Sequence, residues 1–199
     1  MSSIDRTLLL AMGFLAAYQI AIGIDRMDSV SIVAYTVAFG VLLVAGLLLI
    51  ILGFEVLDAP IVVIISTIIP LSLSLGLVWQ HLASFRTPYL IFVISGFVAV
   101  VLTRLIDMKG KIPLLVVAIT HGVSGMIIFL LPIFVVFQGQ VKFLFALVGL
   151  GGAFIGIGGL FLSFMKSGTP LISKENVLKT FSALLFISTL CFVIGFKFG

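Results

Sequence analysis

His121 is the one ionisable side chain that falls well inside an apolar run of this sequence. Thr120 precedes it and Ser124 follows about one helical turn later, so an imidazole and two hydroxyls share a short stretch of helix. Such a group can exchange a proton, hydrogen-bond a solute or ligate a metal. Ionisable groups inside a membrane are functional candidates by default. Tyr35 and Thr36 form a second polar station in an earlier run, and Thr67 a third. The structural use of the same residues competes with these roles. A neutral imidazole can bond a neighbouring helix or the Ser124 hydroxyl, and Ser and Thr commonly bond the carbonyl one turn back. The remaining polar groups inside apolar runs include Tyr18, Gln19, Ser66, Ser72, Ser74 and Ser188. No Asp or Glu lies there, which argues against a proton- or sodium-coupled carrier built on carboxylates. A path lined by hydroxyls and one imidazole suits a small neutral solute.

Three sharper chemistries meet obstacles. Gly122-Val123-Ser124-Gly125 resembles the Gly-x-Ser-Gly nucleophile motif of rhomboid intramembrane proteases, but that chemistry needs a histidine base on a later helix, and none follows Ser124. A retinal-binding rhodopsin needs a lysine in the middle of its last span, whereas Lys179 and Lys197 flank the last apolar run here. A bis-histidine haem would have to use His81 and His121, the only histidines. His81 lies just past the end of its run, and His121 lies nine residues into its own, about 13 Å deep from the opposite face. A single axial bond from His121 to haem or chlorophyll stays open, because Gly122 and Gly125 leave room for a flat ring. No cofactor is otherwise indicated, and the lone Cys191 permits no internal disulfide.

The elements that hold these groups follow from composition. Of 199 residues, 62% are hydrophobic and 9% charged. A soluble domain carries about 25% charged residues, so this surface belongs in lipid. The net charge of +4 therefore describes loops and gives no nucleic-acid surface. Seven runs reach the ~20 residues a helix needs to cross the hydrocarbon core: Thr7 to Ile24, Val30 to Phe54, Pro60 to Trp79, Tyr89 to Ile106, Ile112 to Phe137, Phe143 to Met165 and Thr180 to Phe196. They are apolar all round, without the alternation of barrel strands. The expected fold is an all-α bundle of seven transmembrane helices in one domain, residues 1–199. The first run is too long for a typical signal core and lacks a small-x-small cleavage site.

Two patterns organise the bundle. Adding 83 to the bounds 7–24, 30–54 and 60–79 gives 90–107, 113–137 and 143–162, close to the next three runs. Gly13-Phe14-Leu15-Ala16 then aligns with Gly96-Phe97-Val98-Ala99, and Ile24-Asp25 with Ile106-Asp107. Copies of three spans must be inverted, so residues 7–79 and 89–165 read as two inverted repeats, with 180–196 as an extra helix. Inverted repeats are a common transporter architecture, with the site near the midplane between copies. Short loops and bilayer thickness also make unrelated helices look periodic. The basic residues set the orientation. One side holds Arg6, Arg104, Lys109, Lys111, Lys166, Lys174 and Lys179; the other holds Arg26, Arg86, Lys142 and Lys197. Seven against four places the N-terminus in the cytoplasm and the C-terminus outside.

Gly149, Gly152, Gly156 and Gly159 step by three, four and three, forming one smooth stripe for close helix packing in this chain or against another subunit. Pro70 and Pro132 should kink their helices. Two functions remain in view. One is a channel or facilitator for a small neutral solute, with His121, Thr120, Tyr35, Thr36, Ser124 and Thr67 as binding residues. The other is a non-catalytic accessory subunit of a larger membrane complex, a homo-oligomer or a mixed assembly, with haem or chlorophyll near His121 as a variant. An enzyme ranks lowest, since no nucleophile–base pair or metal cluster is evident.

Overall fold

The computed structural model describes residues 1–23, 28–106, 110–166 and 173–199. Arg26 and Lys109, which enter the loop charges, and Ile24, Asp25 and Asp107, which enter the repeat alignment, lie outside the described residues. Within them, seven helices are long and apolar enough to cross a membrane. These are α1 (Ser3–Ile22), α2 (Ser29–Leu52), α3 (Pro60–His81), α4 (Arg86–Leu105), α5 (Ile112–Phe137), α6 (Ala146–Lys166) and α7 (Lys174–Phe198). No strand is present among the described residues. The chain is a multi-pass membrane protein.

Local chemistry sets the helix ends. Ser2 caps α1 in a reciprocal capping box with Asp5, so the helix begins four residues before the apolar run. Asp28 caps α2 by accepting from the Val30 and Ser31 amides. Gly53 ends α2 at φ +76°, a conformation that side chains with a Cβ rarely adopt. Short 3-10 turns at Phe54–Asp58, Ala83–Phe85 and Phe143–Phe145 lead into α3, α4 and α6.

Six helices form a closed ring in the order α1, α2, α3, α5, α6, α7 and back to α1, while α4 lies outside against α3 and α5. Consecutive helices within each expected repeat pack together. Between the two halves, α3 packs along α5, whereas α6 and α2 have no comparable interface. The ring is filled by side chains rather than left hollow: Tyr35, Phe39, Leu77, Ile128, Val148 and Phe192 are fully buried. Phe196 sits among them, 4.6 Å from the Tyr35 ring and 6.0 Å from that of Phe145. Many hydroxyls point inward, and hydrocarbon covers most of the exterior, as lipid requires. Ser31, Thr67, Ser74, Thr120, Ser124, Ser188 and Thr189 are buried, while Phe14, Ile51, Ile91, Leu105 and Ile119 cover the exterior.

Candidate functional site

Three groups of residues stand out. The first lies at the end of the bundle that carries the C-terminus. Gly76 on α3 makes room for Tyr35 of α2, since a Cβ at Gly76 would fall 2.5 Å from the Tyr35 ring. The Tyr35 hydroxyl then donates to Gln80 Oε1 at 3.2 Å. Below the same helix cap, the buried Ser31 hydroxyl is shared between Asp28 Oδ2 at 3.0 Å and the Gly76 carbonyl at 3.4 Å. Arg86 donates from Nε to the Trp79 carbonyl at 2.7 Å and lies over the Trp79 ring. Asp28 stands outside the spans. Slight burial would raise its pKa, but hydrogen bonds from Ser31 and Val30 and the nearby Arg86 charge bring it below its ordinary value.

The second group is buried between α3, α4 and α5. Pro70 cannot continue the α3 hydrogen-bond ladder. Ser74 donates to the Pro70 carbonyl at 2.6 Å, and Tyr89 of α4 donates to Ser74 Oγ at 2.7 Å. The Ser124 hydroxyl of α5 is completely buried beside Tyr89. Thr120, one turn away, packs on Gly96 of α4, where a Cβ would lie 3.3 Å from its side chain. These contacts seat the peripheral helix α4.

The third group is the glycine-lined face between α5 and α6. Gly149 packs on the Phe129 carbonyl and Ile133, with 2.6 Å from its ideal Cβ to that oxygen, and Gly152 packs equally closely on Ile128. Gly156 and Gly159 have no neighbour within 4 Å of the same point. The expected four-residue stripe is thus an internal contact over its first half and an open surface over its second. The register explains what faces that opening. Gly149 meets residues 129–133 and Gly152 meets 128, so these antiparallel helices pair at numbers summing to about 280. Gly156 is then level with Gly125, and Gly159 with His121. Gly122 and Gly125 also have nothing within 4 Å. His121 precedes Ile128 by seven residues and so shares the face that Ile128 turns to α6. Its Nδ1 lies 3.1 Å from the Val117 carbonyl, which accepts only; Nδ1 therefore carries the proton and Nε2 the lone pair. On the other side of α6, Gly151 and Gly195 admit Phe192 and Val148 and close the α6–α7 interface.

The residues expected to bind solute are not brought into one chamber. Helices α2 and α5 are separated by α3. Tyr35 points into the packed centre, while its neighbour Thr36 is exposed on the outer surface. Thr67 is buried and donates to the Val63 carbonyl of its own helix at 2.7 Å. Thr120 and Ser124 face α4, and half-buried His121 turns its Nδ1 back to the Val117 carbonyl of its own helix. The sequence reading missed Tyr89, Gln80 and Ser31, which carry the contacts between helices. Tyr89 stood at the edge of a run, and nothing in the sequence marked Ser74 as its partner. Among the described residues, no three His, Cys, Asp or Glu side chains converge. No family model, curated protein or solved structure matches the chain.

Proposed function

We propose that the chain is a non-catalytic subunit of a larger membrane assembly and receives an apolar transmembrane helix of a partner between α5 and α6. The observation that carries this reading is the divided glycine stripe. Glycines on both helices lie bare at matching depth, and lipid tails gain little from such a surface, whereas a helix backbone can approach it closely. The filled ring supports the same reading, since its centre holds aromatic rings. His121 Nε2 offers the incoming helix one hydrogen-bond acceptor. The test is a photo-crosslinking residue at Ile157, exposed beside Gly156 and Gly158, in native membranes. An adduct with a second membrane polypeptide is the expected product. Adducts with lipid alone would end the proposal, and adducts with the chain itself would turn it into a homo-oligomer.

A second reading has one observation in its favour. A cavity of about 390 Å³ opens at the N-terminal end, lined by Met1, Gly53, Glu55, Met165 and Lys174 among others. It would serve as the vestibule of a facilitator for a small neutral solute, with the half-buried His121 as its binding group. Solute flux in proteoliposomes that changes with His121→Ala, at unchanged folding, is the result this reading requires.

A further inference from the structure

We infer that the partner helix proposed above carries a carboxylate, an Asp or Glu, that pairs with Arg104 beside His121; the inference rests on that helix being present. Arg104 lies in the last turn of α4 and is half-buried. Its Nε is shut off from solvent and meets no acceptor among the described residues. Its guanidinium is close enough to His121 for the charge to act on the imidazole. The register of the two helices says where they meet. Gly96 of α4 packs on Thr120 of α5, so these antiparallel helices pair at numbers summing to about 216. Val100 is then level with residue 116. A helical side chain leans toward the N-terminus of its own helix. Arg104 therefore leans toward Val100, into the apolar part of the bundle. The His121 ring leans toward Val117, whose carbonyl its Nδ1 meets. Both arrive about 6–8 Å inside the start of α5 at Ile112.

A guanidinium at that depth calls for an anion. Helices α3, α4, α5 and α6 contain no Asp or Glu. Of the carboxylates elsewhere, Asp5 and Asp28 bond the first turns of α1 and α2, Glu175 pairs with Lys179, and Glu55 lines the cavity with Lys174. Ionisable groups inside membranes pair with one another, and arginine with carboxylate is among the stronger pairs, often through two parallel hydrogen bonds. The place is on the route of the proposed helix. Gly125 follows His121 by about one turn and has nothing within 4 Å of its ideal Cβ, and Gly122 is equally bare. A backbone lying on these glycines passes His121 next, and a side chain from it reaches the guanidinium. A lipid phosphate carries the same sign of charge but stays at the headgroup level, whereas a helix carries its carboxylate to this depth.

Zero-length coupling in native membranes tests this. Arg104→Lys keeps the positive charge and supplies an amine. Dicyclohexylcarbodiimide enters the apolar phase, activates a carboxyl there and lets an adjacent amine displace the urea to form an amide. The expected product is an amide link from position 104 to an acidic residue of a second membrane polypeptide, absent from the wild type. Arg104→Gln should cut the Ile157 photo-adduct several-fold, with thermal unfolding in detergent unchanged. A wild-type Ile157 adduct that Arg104→Gln leaves at full yield, with no amide link from Arg104→Lys, refutes the carboxylate and leaves the partner helix standing. No Ile157 adduct in the wild type removes the helix itself. An amide link to Asp107 of the same chain shows an internal pair and overturns the inference. So does a phospholipid that copurifies with the wild type and is lost in Arg104→Gln, since the anion is then a phosphate.

Discussion

Individual glycines in this bundle have unequal consequences, although the sequence lists them alike. Gly152→Leu must push a side chain into Ile128, whose Cγ2 lies 2.6 Å from where a Cβ would start. The expected loss is about 3 kcal/mol, the upper part of the overpacking range. Gly156→Leu projects into open space and should leave the isolated chain as stable as wild type, measured by thermal unfolding in detergent. In native membranes the same variant should lose the Ile157 crosslink. Stability falling equally in both variants would mean that α6 touches α5 along its whole length. Tyr89→Phe removes the hydroxyl that joins α4 to Ser74. A double-mutant cycle with Ser74→Ala should show coupling of about 1 kcal/mol, near the middle of the range for hydrogen bonds between membrane helices. Coupling close to zero would mean that Gly96 and Thr120 alone seat the helix.

Helices were legible from hydropathy because a bilayer demands long apolar runs, and their cores coincide with the expected spans. Their ends were less legible, since ends obey capping chemistry instead. Hydropathy begins the last run at Thr180, but α7 begins at Lys174, with Ser173 as its cap and a Lys179–Glu175 pair across its polar first turn. It begins the fourth at Tyr89, but α4 begins at Arg86. The cap of α2 yields a prediction at this scale. The Asp28 pKa is lowered in the folded protein, so the stabilisation is complete above its ordinary value of 3.8 and is lost as pH falls through the lower folded value. Asp28→Asn keeps a capping oxygen and should remove this acid-dependent part of the unfolding profile, while Asp28→Ala should cost about 1 kcal/mol at neutral pH. An unchanged acid limb in Asp28→Asn would assign that limb to other carboxylates.

Across the whole molecule, the order of helices around the ring was the illegible part. The 83-residue offset suggested two inverted copies with a site between them, yet hydropathy carries no information on which helix is expelled to the rim. Side-chain volumes at crossing points decide that: Gly76 against Tyr35 joins α2 to α3, and Gly152 against Ile128 joins α5 to α6. The candidate residues were found as polar groups inside apolar runs, but their partners depended on that order. The loop charges give a further prediction. After replacement of Cys191, a cysteine at Gly199 should react with an impermeant reagent on intact cells and one at Ser2 should not. The reverse pattern would invert the orientation.

The closed ring also has a consequence in time. Helix α7 completes it by packing on both α6 and α1, but it emerges from the ribosome after six others. Until then the α7-facing side of α1 and the Gly151 face of α6 lie open to the bilayer. Through most of its synthesis the nascent chain therefore displays adhesive surfaces, and a ribosome stalled before Lys174 would leave an incomplete hexagon for membrane proteases to recognise.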